Sequence, residues 1–248
     1  MSAKERLQQT TGIVPGKSAK DSTYLKRIKD AIAGELHHPR NMGIRMQAHH
    51  VISGEGMKRS GLAPVVKAYG YNINFLPNLA FIPCTLQGAC YLGIQPHRGN
   101  HGGKEADQDD YVDAGEERSY HNKVSSDLQR VIDKHLQECT GDDNKVAQDG
   151  IEALDNLSKE ILKGIQKRPA KYQLTSIATH FGVGGAGCGG VDSVTDHNAG
   201  TPCPVDRNHL TDAKGTRQSQ AEGQKPEDIK FVLHTKYDLK FEKKGPLI

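Results

Sequence analysis

Apolar residues recur every three or four positions in four parts of the chain, a spacing that predicts amphipathic helices. The first predicted helix covers residues 24–36, and the second covers about 57–69, where Pro64 either lies in the first turn or splits the helix. Two longer helices follow, and Pro169 ends the second of them. Their apolar faces consist of Val124, Leu128, Val131, Ile132 and Leu136 in one helix and Val146, Ile151, Leu154, Leu157, Ile161 and Ile165 in the other.

The remaining segments have strand-like or loop-like patterns. Residues 78–83 form a short apolar run that ends at a proline, which predicts a buried strand. From there to about residue 118 the pattern predicts loop, and residues 104–117 hold seven acids against one lysine, which is typical of a solvated insertion. A glycine-rich stretch at 182–190 and an alternating stretch at 229–241 predict a loop-rich C-terminal region that contains β-strands.

Length and hydropathy limit the class of protein. The 248 residues suggest one or two domains. No window approaches 18 consecutive apolar residues, and the N-terminus lacks the apolar core of a signal peptide. We therefore expect a chain that is made in the cytoplasm without a signal peptide and does not act on membranes.

Charge and histidine content point to a narrower set of functions. Residues 1–70 carry 12 Lys and Arg against 5 Asp and Glu, whereas residues 71–140 carry 6 against 10. The basic part is suited to phosphate contacts, although a solvated basic surface without a partner fits the charge equally well. The chain also holds 12 histidines, so the arrangement of these side chains becomes the main question.

Five cysteines occur in the chain, at positions 84, 90, 139, 188 and 203. Their odd number and irregular spacing argue against a secreted disulfide framework and favour thiols. Cys188, His197, Cys203 and His209 offer a ligand set for a second metal ion, zinc. Because no C-x-x-C pair is present, packed thiols and surface histidines are the favoured interpretation of these four residues.

Four histidines and an asparagine occur in an order that suits metal-dependent phosphate chemistry. His49 and His50 are adjacent, Asn78 begins the apolar run, and His97 and His101 are four residues apart. Residues four apart lie one turn apart on a helix, so both imidazoles can reach one metal ion. Adjacent residues in an extended segment point in opposite directions, so one histidine can bind a metal while its neighbour faces the substrate.

With this pattern the sequence resembles the AHH nucleases of the HNH and endonuclease VII superfamily, which are common as bacterial toxin domains. The resemblance implies an α+β fold with a small ββα-metal (His-Me finger) core flanked by helices. We accordingly divide the chain into a helical lead-in at 1–40, a nuclease domain at 41–140, a helix at 141–168 and a loop-rich region of unknown role at 169–248. The matching segments are Gln47-Ala-His-His-Val-Ile52, Gly70-Tyr-Asn-Ile-Asn74, Asn78-Leu-Ala-Phe-Ile-Pro83, His97-Arg-Gly-Asn-His101 and Tyr120-His-Asn-Lys-Val124.

The resemblance also implies roles for individual residues. One divalent metal ion, Mg²⁺, Mn²⁺, Zn²⁺ or Ni²⁺, would have His49, His97 and His101 as its ligands. His50 would be the general base, and Asn78 would hold the His50 ring through a side-chain hydrogen bond.

Two further residues are candidates within the matching segments. Asn74 competes with Asn78 for contact with the histidine ring, and Asn78 is preferred because the predicted strand follows it. His121 is an auxiliary candidate, because it lies in the last matching segment.

The function implied by the resemblance is a metal-dependent, sequence-nonspecific DNA endonuclease that acts as an antibacterial toxin or effector. Such a protein would contact the phosphate backbone of DNA and would have an immunity protein in the producing cell. A secretion-system carrier, of the type VI or contact-dependent kind, would deliver it to the cytoplasm of a target cell. Two alternatives stay open: an RNase toxin of the same mechanism, and a zinc-structured nucleic-acid-binding module without catalysis.

Two other motifs are weaker. His37 and His38 form a second adjacent pair, but Pro39 follows and no strand pattern surrounds them, so a surface pair is expected. Residues 182–187 satisfy G-x-G-x-x-G, but a polar loop follows where a helix would have to begin. A flexible turn is therefore favoured there over a dinucleotide site.

Overall fold

The computed structural model describes residues 14–35, 38–41, 44–97, 117–137, 143–182, 184–191, 194, 196–206 and 209. Helices and one small antiparallel sheet make up this structure, which confirms the α+β class. Short 3₁₀ turns lie at Leu76–Asn78 and Ala178–Phe181. The helices are α1 (Tyr24–Ile32), α2 (Gly54–Arg59), α3 (Ala63–Ala68), α4 (Leu86–Leu92), α5 (Glu117–Gln137) and α6 (Asp143–Lys167), and the strands are β1 (Met46–His50) and β2 (Leu79–Pro83).

The sheet is covered on both faces. β1 and β2 pair so that His49 lies opposite Ala80 and His50 lies opposite Leu79. Because successive strand residues point to opposite faces, Ala80 contributes to a large core with α5 and α6, whereas Leu79 contributes to a smaller core with α1. This double burial explains why the sequence of β2 is a continuous apolar run and confirms the strand predicted there.

The two long helices build most of the larger core. Most described residues of the predicted apolar faces are buried, including Val124 and Leu128 of α5 and Leu154 and Ile161 of α6, and Val131 and Ile151 are partly buried. Each such side chain contributes about 1.5–3 kcal/mol through removal of apolar surface from water. Since α6 shares this core with the sheet, it stabilises the elements that carry the histidines.

Three shorter elements differ from the sequence prediction. The helix predicted at 57–69 is two helices, α2 and α3, and Pro64 lies in the first turn of α3. The first helix ends at Ile32, earlier than the predicted residue 36. Helix α4 occupies part of a segment predicted to be loop, where the Thr85 side chain accepts a hydrogen bond from Gly88 N–H and Gly93 ends the helix with a φ of +62°.

The segment before α1 runs along the loop at 71–74. Lys17 N–H donates to Tyr71 O over 3.1 Å, and Ile73 N–H donates to Lys17 O over 3.0 Å. Gly16 permits this close approach, because a Cβ atom there would lie only 1.8 Å from Tyr71 O. The contacts bring residues 19–21 to the asparagine-containing loop described below.

The described part of the C-terminal region consists of turns and the 3₁₀ turn at 178–181, and it packs against α4 through Ile177 and Phe181. Residues 104–116 of the predicted acidic insertion and the alternating stretch at 229–241 lie outside the described residues. Among the helices of the described residues, none has both the length and the apolar character needed to cross a membrane.

Candidate metal and catalytic site

Two histidine rings meet at the end of the sheet. His49 is near the end of β1 and faces α5, whereas His97 follows α4 and donates its backbone N–H to Pro83 O, at the end of β2, over 2.8 Å. The distance between His49 Nδ1 and His97 Nε2 is 3.0 Å. Both residues are buried, with exposed fractions of 2% and 4%. The sheet therefore places two predicted metal ligands side by side.

The other ring nitrogens of this pair are held by neighbouring side chains. Tyr120 donates its hydroxyl proton to Val51 O over 2.6 Å, so its oxygen is the acceptor for His49 Nε2–H at 2.9 Å. Gln47 Oε1 accepts a hydrogen bond from His97 Nδ1–H at 3.0 Å. With Gln47 Oε1 and Tyr120 Oη as these acceptors, His49 Nδ1 and His97 Nε2 can each offer a lone pair to a cation.

A pair of facing lone pairs suits a cation. Two imidazole nitrogens 3.0 Å apart are close enough to be neighbouring ligands of one divalent ion. Burial lowers the pKa of His97 to about 3, and the charge of Lys20 adds to this effect, so the ring is neutral at pH 7. The donor set therefore fits a divalent metal ion. His101, the third predicted ligand, lies outside the described residues, and its role stays a prediction.

His50 occupies the opposite face of the sheet, as the alternation of strand residues predicts. Its ring packs 4.6 Å from the ring of Tyr24, measured between centroids. His50 Nε2 lies 3.0 Å from the Oδ1 atom of Asn74. Burial is the main cause that lowers the pKa of His50 to about 4, and the ring is consequently neutral at pH 7.

The orientation of Asn74 determines which nitrogen of His50 carries the proton. Asn74 Nδ2 donates to Ala19 O at 2.9 Å and to Asn72 Oδ1 at 3.0 Å. Asn74 Oδ1 accepts from the backbone N–H of Asp21 at 3.1 Å, so the amide group cannot be reversed without losing these contacts. Oδ1 must therefore face His50, whose Nε2 is the donor and whose Nδ1 keeps the lone pair.

Asn78 makes a different set of contacts. Its Oδ1 atom accepts from Ile52 N–H at 2.6 Å and from the Ser158 hydroxyl at 2.7 Å. Its Nδ2 group donates to Ile52 O and Ile73 O, both at 3.0 Å. All four hydrogen-bonding positions of this buried amide are thus used to join the end of β1, the 71–74 loop and α6.

The predicted hydrogen bond between Asn78 and His50 is therefore wrong, and the competing candidate Asn74 makes that contact. The reason is the alternation of side chains. Asn78 directly precedes β2 and points toward α6, whereas His50 points toward α1 on the other face of the sheet.

His121 is the second auxiliary candidate. It is buried next to Tyr120 on α5, and its Nδ1 atom lies 2.8 Å from the hydroxyl of Ser53, the residue that caps α2. Burial, with a contribution from the charge of Arg59, lowers the pKa of His121 to about 4. This geometry links α5 to α2, and a catalytic role of His121 stays a prediction.

The sequence interpretation missed Lys20, Gln47 and Tyr120 as members of the site. Lys20 belongs with these residues because its charge contributes to the lowered pKa of His50, His97 and His121. Gln47 was detectable in principle, because it lies two residues before His49 and so shares its face of β1. The single lysine had no distinguishing signal within the basic N-terminal part.

His38 corrects another expectation. The sequence predicted a surface pair, but His38 is only 2% exposed and lies 5.9 Å from Phe81, measured between ring centroids. Its Nδ1 atom accepts the backbone N–H of Arg40 at 3.1 Å. His37 lies outside the described residues.

Comparison with known proteins gives one family. The model of the AHH family, described as a nuclease family of the HNH/ENDO VII superfamily with conserved AHH, matches residues 34–161. Neither the curated proteins nor the solved structures contain a match. The family match covers just over half of the chain, including the Ala48-His49-His50 sequence and the elements that surround it. The chain therefore belongs to the AHH nuclease family of the HNH/ENDO VII superfamily, and it is a nuclease that hydrolyses nucleic acid.

Proposed function

We propose that this chain is a metal-dependent endonuclease that cleaves DNA phosphodiester bonds without sequence preference. The observation that carries the proposal is the 3.0 Å approach of His49 Nδ1 and His97 Nε2, together with a neutral His50 that contacts Asn74. The family match supports nucleic acid as the substrate.

Each part of the site has a chemical task in this proposal. His49 and His97, with His101 as the predicted third ligand, would hold one Mg²⁺, Mn²⁺, Zn²⁺ or Ni²⁺ ion. When bound, this ion would supply electrostatic stabilisation of the charge that develops on the phosphate oxygens. His50 Nδ1 would accept the proton of the attacking water, since its Nε2–H is engaged by Asn74.

Lys20 would contribute to binding of the phosphate backbone. The support is that its charge contributes to the lowered pKa of His50, His97 and His121, so a phosphate bound at the site would interact with this cation. Contacts to phosphate carry no base information, which supports cleavage without sequence preference. The non-catalytic zinc module is not favoured, because the family match is to nucleases.

The biological role in this proposal is that of an antibacterial effector. The support is the resemblance to AHH domains, which are common in bacterial toxins. A type VI or contact-dependent secretion carrier would deliver the chain to the cytoplasm of a target cell, and an immunity protein would protect the producer. Expression of the wild-type chain in bacteria should stop growth, whereas the His50→Ala chain should not. Equal growth of the two cultures would contradict the toxin role.

Plasmid cleavage tests the enzymatic proposal. The wild type, His50→Ala and His49→Ala are compared with each of the four metals and with a chelator. His135→Gln is the matched control, because His135 lies on α5 and bonds Val146 O away from the site. We expect chelation to abolish cleavage, His50→Ala to slow it by at least about 10²-fold, and the control to keep wild-type activity.

Two results would change the proposal. Full cleavage by His50→Ala would remove His50 as the general base. Degradation of RNA with plasmid DNA left intact would establish the RNase alternative in place of the DNase.

A further inference from the structure

A second cluster of metal-binding side chains lies away from the nuclease site. Cys90, Cys188, Cys203 and His209 each contribute one ligand atom, and all four atoms lie within 4.8 Å of one another. Cys203 Sγ is 3.4 Å from Cys188 Sγ and 3.0 Å from His209 Nε2. In a tetrahedral zinc site with Zn–S bonds of about 2.3 Å and Zn–N bonds of about 2.0 Å, neighbouring ligand atoms are about 3.5–3.8 Å apart. The four side chains thus have nearly the spacing that zinc requires.

We propose that Cys90, Cys188, Cys203 and His209 bind one structural Zn²⁺ ion. Three sulfur ligands and one imidazole favour zinc over hard cations such as Mg²⁺, which prefer oxygen. Four protein ligands complete a tetrahedral shell and leave no position for water or substrate, which is the arrangement of structural rather than catalytic zinc. This proposal is independent of the proposed nuclease mechanism.

The backbone around Cys188 is shaped to bring these ligands together. Gly187 and Gly189, on either side of the cysteine, have φ values of +72° and +60°, which glycine adopts without strain. A Cβ atom at Gly187 would lie 2.8 Å from Cys90 Sγ, so a larger residue would push the loop away from α4. Cys203 N–H donates to Ala186 O over 2.7 Å, which fixes the third ligand beside the same loop.

The ligand set differs from the one considered from the sequence, which contained His197 instead of Cys90. His197 donates from Nε2 to Gly187 O over 2.7 Å and stacks on the ring of His180 at 4.9 Å. It therefore braces the glycine loop rather than joining the cluster. Cys90 belongs to α4, far earlier in the chain, so no local C-x-x-C spacing could reveal it.

A disulfide is the main competing chemistry. The 3.4 Å between Cys188 Sγ and Cys203 Sγ exceeds the bond length of about 2.05 Å, and no disulfide joins the four described cysteines. A disulfide between Cys188 and Cys203 would give no function to the nearby ligand atoms of Cys90 and His209, whereas a zinc ion would bind all four ligand atoms.

The zinc ion would fasten the C-terminal region to the nuclease core. Cys90 lies within residues 34–161, where the family model matches, and the other three ligands lie beyond that match. Apolar contacts of α4 with Ile177 and Phe181 already bring the two parts together. Because the unfolded chain lacks a preformed site, the free energy of zinc binding would add to the stability of this attachment.

Zinc analysis of the full chain tests the proposal. Wild type, Cys203→Ser, Cys84→Ser and His49→Ala are purified without chelator, and zinc per chain is measured by mass spectrometry. Cys84→Ser is the matched control, because Cys84 is a described thiol outside the cluster. His49→Ala separates this zinc from metal in the nuclease site. We expect Cys203→Ser to lose about one zinc per chain relative to Cys84→Ser, and His49→Ala to keep that zinc.

Cobalt provides a second measurement that does not depend on the folding of a cysteine variant. Wild type and His49→Ala, stripped and reloaded with Co²⁺, should show the near-ultraviolet charge-transfer absorption of cobalt thiolate and the visible bands of tetrahedral cobalt. The proposal is overturned if these bands are absent, if Cys203→Ser folds and keeps the full zinc content, or if the purified wild type contains a Cys188–Cys203 disulfide.

Discussion

Replacement of Asn78 by alanine tests whether this side chain acts in folding rather than in catalysis. The change removes four hydrogen bonds, two to Ile52 and one each to Ile73 and Ser158. The Ser158 hydroxyl can rotate, but the three backbone groups are fixed within the core. A buried polar group that loses its partner costs about 1–3 kcal/mol, so the three groups together cost about 3–9 kcal/mol. Because folded domains are stable by only about 5–15 kcal/mol, this loss should be severe.

Asn74→Ala is the matched comparison, since it also removes four side-chain hydrogen bonds. Here the partners Ala19, Asp21 and Asn72 are exposed or partly exposed, so water can replace much of what is lost, and only His50 is a buried partner. We expect a loss of about 1–2 kcal/mol in stability. His50 would lose the acceptor that sets its tautomer, so cleavage per folded molecule should fall by about 10–100-fold.

Urea unfolding, followed by far-ultraviolet circular dichroism, measures the stability of both variants, and plasmid cleavage measures their activity. The expected pattern is a large loss of stability for Asn78→Ala and a large loss of activity at near-normal stability for Asn74→Ala. An Asn78→Ala chain with wild-type stability and little activity would refute the reasoning, because it would indicate that Asn78 acts in catalysis rather than in folding. Equal stability losses in the two variants would refute the argument from burial.

Three further predictions concern neighbouring residues. In a His50→Ala background, Lys20→Gln should reduce the slope of log affinity for DNA against log salt concentration by about 1, whereas Lys26→Gln should leave this slope unchanged. Equal slopes for the two variants would exclude a phosphate contact of Lys20. Tyr120→Phe should raise the Mn²⁺ concentration for half-maximal cleavage by about 10–100-fold, because His49 Nε2–H loses its acceptor. An unchanged Mn²⁺ concentration would argue against a metal ion bound by His49. Burial, with the charge of Arg40, lowers the pKa of His38 from 6.5 to about 4. As the pH falls, the unfolded chain therefore binds a proton at His38 before the folded chain does. The free energy of unfolding should consequently fall by up to about 3 kcal/mol from pH 7 to pH 4. His38→Asn, which keeps an acceptor for the backbone, should lose less stability over this range, and equal losses would contradict the assignment.

The sequence predicts those elements whose residues repeat a pattern over many positions. The faces of α5 and α6 and the apolar run of β2 are of this kind, and the structure confirms them. Helix α4 was missed because its seven residues are too short for a helical period, and its start and end depend on single residues, Thr85 and Gly93. The boundaries of short elements are therefore set by local caps that hydropathy does not show.

For the site, the sequence predicts residue types and faces but not partners. Adjacent positions in an extended segment are enough to place His49 and His50 on opposite faces of the sheet. The choice between Asn74 and Asn78 depends on which face each amide reaches, and spacing alone does not determine that. Lys20 and Cys90 also could not be assigned from the sequence, because the residues with which they interact lie far away along the chain.

The orientation of His50 depends on residues that lie outside the part of the chain matched by the family model. Asn74 is within residues 34–161, but its amide is held by Ala19 O and Asp21 N–H, which precede that range. The contact of this segment with the 71–74 loop also brings Lys20 to the histidines. The range matched by the family model therefore contains the histidines, whereas the proton position on His50 also depends on a segment that precedes that range. If His50 is the general base, the N-terminal segment is part of the catalytic unit.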